Sequence, residues 1–138
     1  MIPNKLTFEQ LAAKVPHAPF HQWLGCELTA LTDEAVEISV PWRDEFLTST
    51  EPRYAHGGIL AALIDLTADY AVAAKAGRGA PTVDMRVDYL RPARPGVLRT
   101  SGHVVKLGKT LAVAEATVHD ESGAAVATGR AVFFMGGG

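Results

Sequence analysis

The sequence predicts an α+β protein in which an antiparallel sheet wraps one dominant helix. Two observations predict it. An apolar run from Ile59 to Ala74 reads as a single long helix. Two strand-like segments precede it and four follow, the later ones joined by short hairpin turns that fit antiparallel pairing.

The elements follow in chain order. Thr7 suits the N-cap of a short helix over about 7–15, "FEQLAAKV", with Gln10 completing a capping box. Pro16 and Pro19 stop it. "LGCELTALT" and "EAVEISVPW" read as two strands around the turn "TDE", with Val36, Ile38 and Val40 on one face. "RDEFLTSTEPRY" reads as a polar loop leading to the helix, which ends at Gly77 and Gly79. "TVDMRVDYL" then alternates Val83, Met85, Val87 and Tyr89 against Thr82, Asp84, Arg86 and Asp88, a period of two. Pro92 and Pro95 break it. "GVLRTSGHVVKLG", "KTLAVAEATVHD" and "AAVATGRAVFFM" complete the strands, separated by "LGK" and "DESG". The glycines of 136–138 are expected to fray.

Composition narrows the function. The 138 residues suffice for one core, so a single domain over 1–138 is expected. Hydrophobic residues make up 48% and charged ones 20%, the balance of a soluble globular protein. A net charge of −2 offers no basic field for nucleic acid or anionic membrane. One cysteine, Cys26, rules out an intrachain disulfide, CxxC chemistry and Cys-rich zinc sites, and it reads as a buried small hydrophobe. The start "MIPNKLTFEQ" has no apolar signal region, and the run from Ile59 is short for a bilayer and carries Asp65 and Asp69, so a cytoplasmic protein is expected. Pro19 keeps His17 and His21 from sharing a helix face as metal ligands, and no histidine shares the face of Asp65 and Asp69; no metal is expected. "GKT" is not a phosphate loop, because Gly102 is one residue too far upstream and strand-like sequence follows.

The chemistry concentrates in "RYAHGGILAALIDLTADYAVAA", Arg53 to Ala74. The first N–H groups of a helix have no internal partners and sit at the positive end of its dipole. Glycine there admits a ligand to the backbone with no Cβ in the way. Gly57 and Gly58 therefore suit an oxygen that gains negative charge, as an oxyanion hole does. The purely structural reading is a tight turn that needs glycine for its backbone angles. Asp65 stands among Leu60, Leu63, Ile64 and Leu66, where an unpaired carboxylate costs several kcal/mol. Its structural reading is a wet stripe shared with Asp69, one turn on. Asp65 lies eight residues beyond Gly57, about 12 Å along the axis. A base must come within about 3 Å of the atom it serves. One copy of the helix cannot present both groups to one carbonyl; two antiparallel copies can.

"HGGILAALIDLTADYA", with Asp65 seven residues after the second glycine, then "PTVDMRVDYLRPARPG", "KLGKTLAVAEATVHD" and "GRAVFFM", resembles in order and spacing the hotdog-fold acyl-CoA thioesterases, especially the phenylacetate-pathway type. The resemblance covers nearly the whole chain from about Phe20. It implies a six-stranded antiparallel sheet curled around the long helix, with homodimers sharing a continuous sheet and often pairing into homotetramers. It implies hydrolysis of an acyl-CoA thioester, with CoA entering as part of the substrate and no cofactor needed. Gly57 N–H would polarise the carbonyl, and Asp65 of the other subunit would attack or activate water. Thr82 matches a position where relatives place Ser or Thr to hold the water, and it also reads as a plain strand residue. His56 would orient the loop or touch the thioester, unless it only caps the helix.

Relatives frequently carry Asn or Gln where this chain has Thr50, and Arg53 replaces a commonly small residue. CoA phosphates call for cations or free N–H groups. The resemblance points to Lys106, Gly108, Lys109 and Thr110, with Gly58 and Tyr89 near the ligand and Arg91, Arg94 and Arg130 as weaker choices; solvated surface charge is the bland reading of each. Trp23, Trp42, Phe46 and Tyr54 read as core or interface, Tyr54 as a further acyl-pocket wall. Two other functions compete. An acyl hydratase of the same fold pairs Asp with a helix His, which this helix lacks after His56. A non-catalytic acyl-CoA sensor would keep the pocket without turnover.

Overall fold

The computed structural model describes residues 2–136. Helix α1 (Phe8–Lys14) has the expected start: Thr7 Oγ1 accepts from Gln10 N–H, and the Gln10 side chain returns the bond to Thr7 N–H. Helix α2 (Pro19–Leu24) was not expected. Pro19 does not block it, because at the first helical position its missing N–H is not needed. Gly25, at φ 74°, ends it in the left-handed conformation.

Strands β1 (Glu27–Leu31) and β2 (Val36–Val40) follow. The "polar loop" is more ordered than its composition suggested. It holds a 3-10 turn (Asp44–Phe46) and a separate hairpin, β3 (Leu47–Thr50) with β4 (Arg53–Ala55). Helix α3 runs Gly57–Ala76. Strands β5 (Thr82–Tyr89), β6 (Leu98–Leu107), β7 (Leu111–His119) and β8 (Ala125–Phe134) complete a six-stranded antiparallel sheet in the order β1-β2-β6-β7-β8-β5. This is the hotdog arrangement: the sheet curls around α3. In the C-terminal tail Gly136 N–H donates to Thr110 O at 3.2 Å, and residues 137–138 lie outside the described residues.

Small residues let the helix approach the sheet. The inner face of β7 is Ala112, Ala114 and Ala116, all buried. A Cβ on Gly129 would stand 2.9 Å from Ile64 Cγ2, and one on Gly102 2.9 Å from Thr67 Cγ2. In that layer the Thr67 hydroxyl donates to Thr100 Oγ1 at 2.7 Å, pairing two buried polar groups. At the far end of α3, Lys75 is 7% exposed, and its ammonium donates to Ile2 O, Asn4 Oδ1 and Asp33 O. The N-terminal segment and the β1–β2 turn are thereby pegged to the helix. The helix is long and apolar enough to cross a bilayer by composition, but it is the core of the sheet.

Strand β5 occupies one edge of the sheet and pairs on one side only, with β8. Val83 (59%), Tyr89 (55%) and Leu90 (52%) are exposed at that edge.

Candidate active site

Two groups of residues stand on α3. The first surrounds its N-terminus. Ala55 N–H bonds Ala93 O and His56 N–H bonds Phe46 O, so the short hairpin holds the helix mouth in place. His56 is the N-cap: its Nδ1 accepts from Gly58 N–H at 2.8 Å. That bond makes Nδ1 the acceptor nitrogen and leaves the ring proton on Nε2. A Cβ on Gly58 would lie 2.9 Å from Nδ1, so glycine is what lets the imidazole reach the backbone. The cap uses the Gly58 N–H, whereas the Gly57 N–H has no hydrogen-bond partner among the described residues.

Gly57 also meets β5. Tyr89 Oη donates to Gly57 O at 2.9 Å, and the ring would stand 3.2 Å from a Cβ on Gly57. A cleft of about 350 Å³ opens here, lined by Tyr54, Leu60, Tyr89, Leu90, Arg91 and Pro92. Thr48 faces the cleft. Thr50 does not line it; it sits exposed at the hairpin turn, paired with Arg53. Arg53 in turn is bound to Asp44 at 2.6 Å.

The second group lies further along the helix. Asp65 is half-buried, and its Oδ1 accepts from Thr82 Oγ1 at 2.7 Å. The carboxylate is therefore not stranded among apolar side chains: one oxygen is held, and the other has no side-chain partner among the described residues. Asp69, one turn on, accepts from Ala80 N–H at 3.1 Å and lies against Gly79. This contact fixes the connection that delivers Thr82 to Asp65. Burial raises the Asp69 carboxyl to about 6, opposed by the Ala80 bond and reinforced by the Asp65 charge.

Nearby is a pair that the sequence did not reveal. His21, on α2, meets the Tyr70 hydroxyl at 2.8 Å, and Tyr70 Oη donates to Val15 O at 3.1 Å. Burial lowers the His21 pKa, with a bond to the Val15 backbone and the Asp65 charge pulling the other way. The proline-then-aromatic start "PFHQWLG" and its closing glycine carried the signal for α2. Cys26 is buried and its thiol is raised to about 11 by that burial.

The remaining candidates lie elsewhere. Lys106, Gly108, Lys109 and Thr110 form the β6–β7 hairpin, where Gly108 N–H bonds Leu111 O and Thr110 O accepts from Met135 N–H. Thr82 aligns with Phe133, and Phe133 with Ala112, so this hairpin sits at the Thr82 end of the sheet. Tyr89 and the helix mouth are at the opposite end. Arg130 is bound to Glu115 at 2.8 Å on the outer face of the sheet. Among the described residues no three His, Cys, Asp or Glu side chains group as a metal site.

The chain resembles known proteins along most of its length. The family model of the thioesterase superfamily matches residues 53–127, which span both α3 groups. The medium/long-chain acyl-CoA thioesterase YigI of Escherichia coli (strain K12) is 26% identical over 137 residues, covering 88% of each chain. A crystal structure of a protein from the thioesterase superfamily is 44% identical, with a TM-score of 0.89 over 91% of this chain and 96% of the other. A Shewanella oneidensis protein related to the same superfamily is 27% identical, with a TM-score of 0.83 over 93% and 94%.

Proposed function

This chain belongs to the thioesterase superfamily and is a thioester hydrolase; on that premise we propose that it hydrolyses an acyl-CoA with a catalytic centre shared between two subunits. The Gly57 N–H, without a partner among the described residues, carries the reading, because it stands at the helix mouth while the carboxylate is eight residues away, about 12 Å along the same helix. In the dimer, Gly57 N–H of one protomer receives the thioester oxygen and Asp65 of the partner subunit serves the carbonyl carbon.

Thr82 leaves Asp65 Oδ2 for the reaction and keeps lone pairs on its own hydroxyl to hold a water. Asp65 Oδ2 takes a proton as the water oxygen bonds to the carbonyl carbon. The oxyanion leans on Gly57 N–H and the helix dipole. On collapse the C–S bond breaks, and the Asp65 proton passes to the departing sulfur. The apolar cleft walls suit an acyl chain or aryl ring. Arg91 and the partner's Lys106–Thr110 hairpin supply the charge and N–H groups for the CoA phosphates. The activity named for the Escherichia coli relative supports a fatty acyl chain.

The test is thiol release from a panel of acyl-CoAs, phenylacetyl-CoA and medium-chain acyl-CoAs among them, run on the parent chain and on Asp65→Asn. We expect kcat to fall at least ~10²-fold in the variant while product CoA still binds. Turnover retained in Asp65→Asn overturns the assignment, and binding without turnover in the parent chain marks a sensor.

A further inference from the structure

Two successive turns of α3 reach the segment that leads into β5. Asp69 Oδ1 accepts from Ala80 N–H at 3.1 Å, and Asp65 Oδ1 accepts from Thr82 Oγ1 at 2.7 Å. The spacings match. Four residues of helix advance about 6 Å, and two residues of extended chain advance about 6.6 Å. The segment runs against the helix, so Ala80 falls beside Asp69 as Thr82 falls beside Asp65. The two bonds are rungs of one short ladder.

Thr82 depends on that ladder. Arg78 Nη2 donates to Met135 O at 2.6 Å, and Phe134 N–H donates to Pro81 O at 2.9 Å, so both bonds tie the connection to the end of β8. The register between β5 and β8 then shifts between Thr82 and Asp84. Such an irregularity re-aims the side chains around it, so pairing with β8 alone does not set the direction of the Thr82 hydroxyl. Pro81 has no N–H, which makes Ala80 N–H the last backbone donor ahead of Thr82. That donor goes to the helix that carries Asp65, through Asp69.

The Asp69 carboxyl sits where its charge is disfavoured. It is half-buried, and burial pushes it up to about 6. Gly79 leaves it space, since a Cβ there would stand 3.3 Å from Oδ2. Burying a charge costs free energy that an apolar side chain would not incur, so the acceptor oxygen is what this position supplies.

We propose that Asp69 is a positioning residue for thioester hydrolysis: by holding Ala80 one helical turn away, it sets the Thr82 hydroxyl at Asp65. It acts through Thr82 and not on the substrate. The role rests on the reading of Asp65 and Thr82 above and deepens it, because the bond that leaves Asp65 Oδ2 for the reaction is itself held from the next turn of the helix.

Thiol-release kinetics on the whole chain test this. Asp69→Ala removes the acceptor, so kcat should fall by about tenfold with KM within about twofold of the parent value. Asp69→Asn, the conservative variant, keeps the acceptor and should recover most of that loss. In the double variant Asp69→Ala with Thr82→Val, turnover should be no slower than in Thr82→Val alone, because the hydroxyl that Asp69 positions is already gone. A role confined to folding would lower activity by the same factor in both backgrounds. Gly79→Ala reads the same contact where Asp69→Ala does not fold. It presses a methyl toward Asp69 Oδ2 and leaves the carboxylate in place, so kcat should fall by about threefold, again only while Thr82 is present.

Parent kcat in both Asp69→Ala and Gly79→Ala overturns the proposal. So does an Asp69→Asn as slow as Asp69→Ala, which would make the charge and not the contact the cause. Losses that multiply in the double variant put Asp69 on a route apart from Thr82 and overturn it as well. If Thr82→Val itself keeps parent turnover, the reading of Thr82 falls and this one with it. If Thr82→Val is slow and Asp69→Ala is not, this inference falls alone.

Discussion

Tyr89 Oη donates to Gly57 O at 2.9 Å while its ring stands 3.2 Å from where a Gly57 Cβ would point. One aromatic side chain thus both orients the first peptide of α3 and would have to give by a few tenths of an ångström to admit a side chain on it. Gly57→Ala should push the Tyr89 ring aside and tilt the free N–H, lowering kcat by about tenfold. Adding Tyr89→Ala should restore part of that loss, because the obstacle is gone. Thiol-release kinetics on the two single variants and the double measure it; equal loss in the double variant would show that the ring is not what Ala meets.

Thr82 is expected to act in the chemical step. Thr82→Val keeps the strand residue's shape and removes the hydroxyl from Asp65, so kcat should fall by about tenfold or more with KM little changed. Single turnover in ¹⁸O-water, with hydroxylamine added to trap any Asp65–acyl anhydride, tests the proton-transfer route against direct attack. Label should enter the acid product in the first turnover and no acyl hydroxamate should form, because the water oxygen bonds straight to the acyl carbon. Label found on Asp65 would establish the covalent route.

Asp69 makes stability depend on pH in a predictable direction. Its carboxyl is raised from an ordinary 3.8 to about 6. Between those values the folded state holds more protons than the unfolded one, so stability falls as pH rises from about 4 to 6. Allowing for partial exposure, the change amounts to about 2 kcal/mol. Asp69→Asn keeps an acceptor for Ala80 N–H and cannot ionise. Urea titrations from pH 4 to 8 should show this fall reduced by that amount in the variant; identical pH profiles would contradict the burial of this charge.

The Thr67–Thr100 bond ties α3 to β6 in a fully buried layer. Thr67→Val leaves the Thr100 hydroxyl without its donor and should cost about 1–3 kcal/mol. Gly102→Ala drives a methyl against Thr67 Cγ2 and should cost a similar amount through overpacking. Because both act at one contact, their effects should not add. Chemical denaturation of both variants and the double tests this.

Most of the architecture was legible because it rests on periodicity. The alternation of Val83 to Tyr89, the apolar run of α3 and the Thr7–Gln10 cap are local patterns, and each reappears in the structure. Helix α2 and the β3–β4 hairpin are hidden for local reasons of another kind: a proline stops one helix and starts another with the same ring, and a polar hairpin lacks apolar alternation. In the site, Asp65 and Gly57 stood out by being chemically misplaced in a helix. The Asp69–Ala80 contact, the His21–Tyr70 pair and the seat of Tyr89 over Gly57 come from chain segments brought together only by folding. No spacing rule in one sequence encodes them.

Lys75 makes the first residues of the chain a structural cofactor of its own helix. Its ammonium takes two of its three acceptors, Ile2 O and Asn4 Oδ1, from that strip of polypeptide. Proteolytic removal of those residues leaves the cation the Asp33 carbonyl alone and opens it to solvent, so water must replace the two lost acceptors. The last turn of α3 loses its tie to that strip, ten residues downstream of Asp65. An acetyltransferase meets the same barrier in reverse: Nζ is reachable only after the leading strip has peeled away.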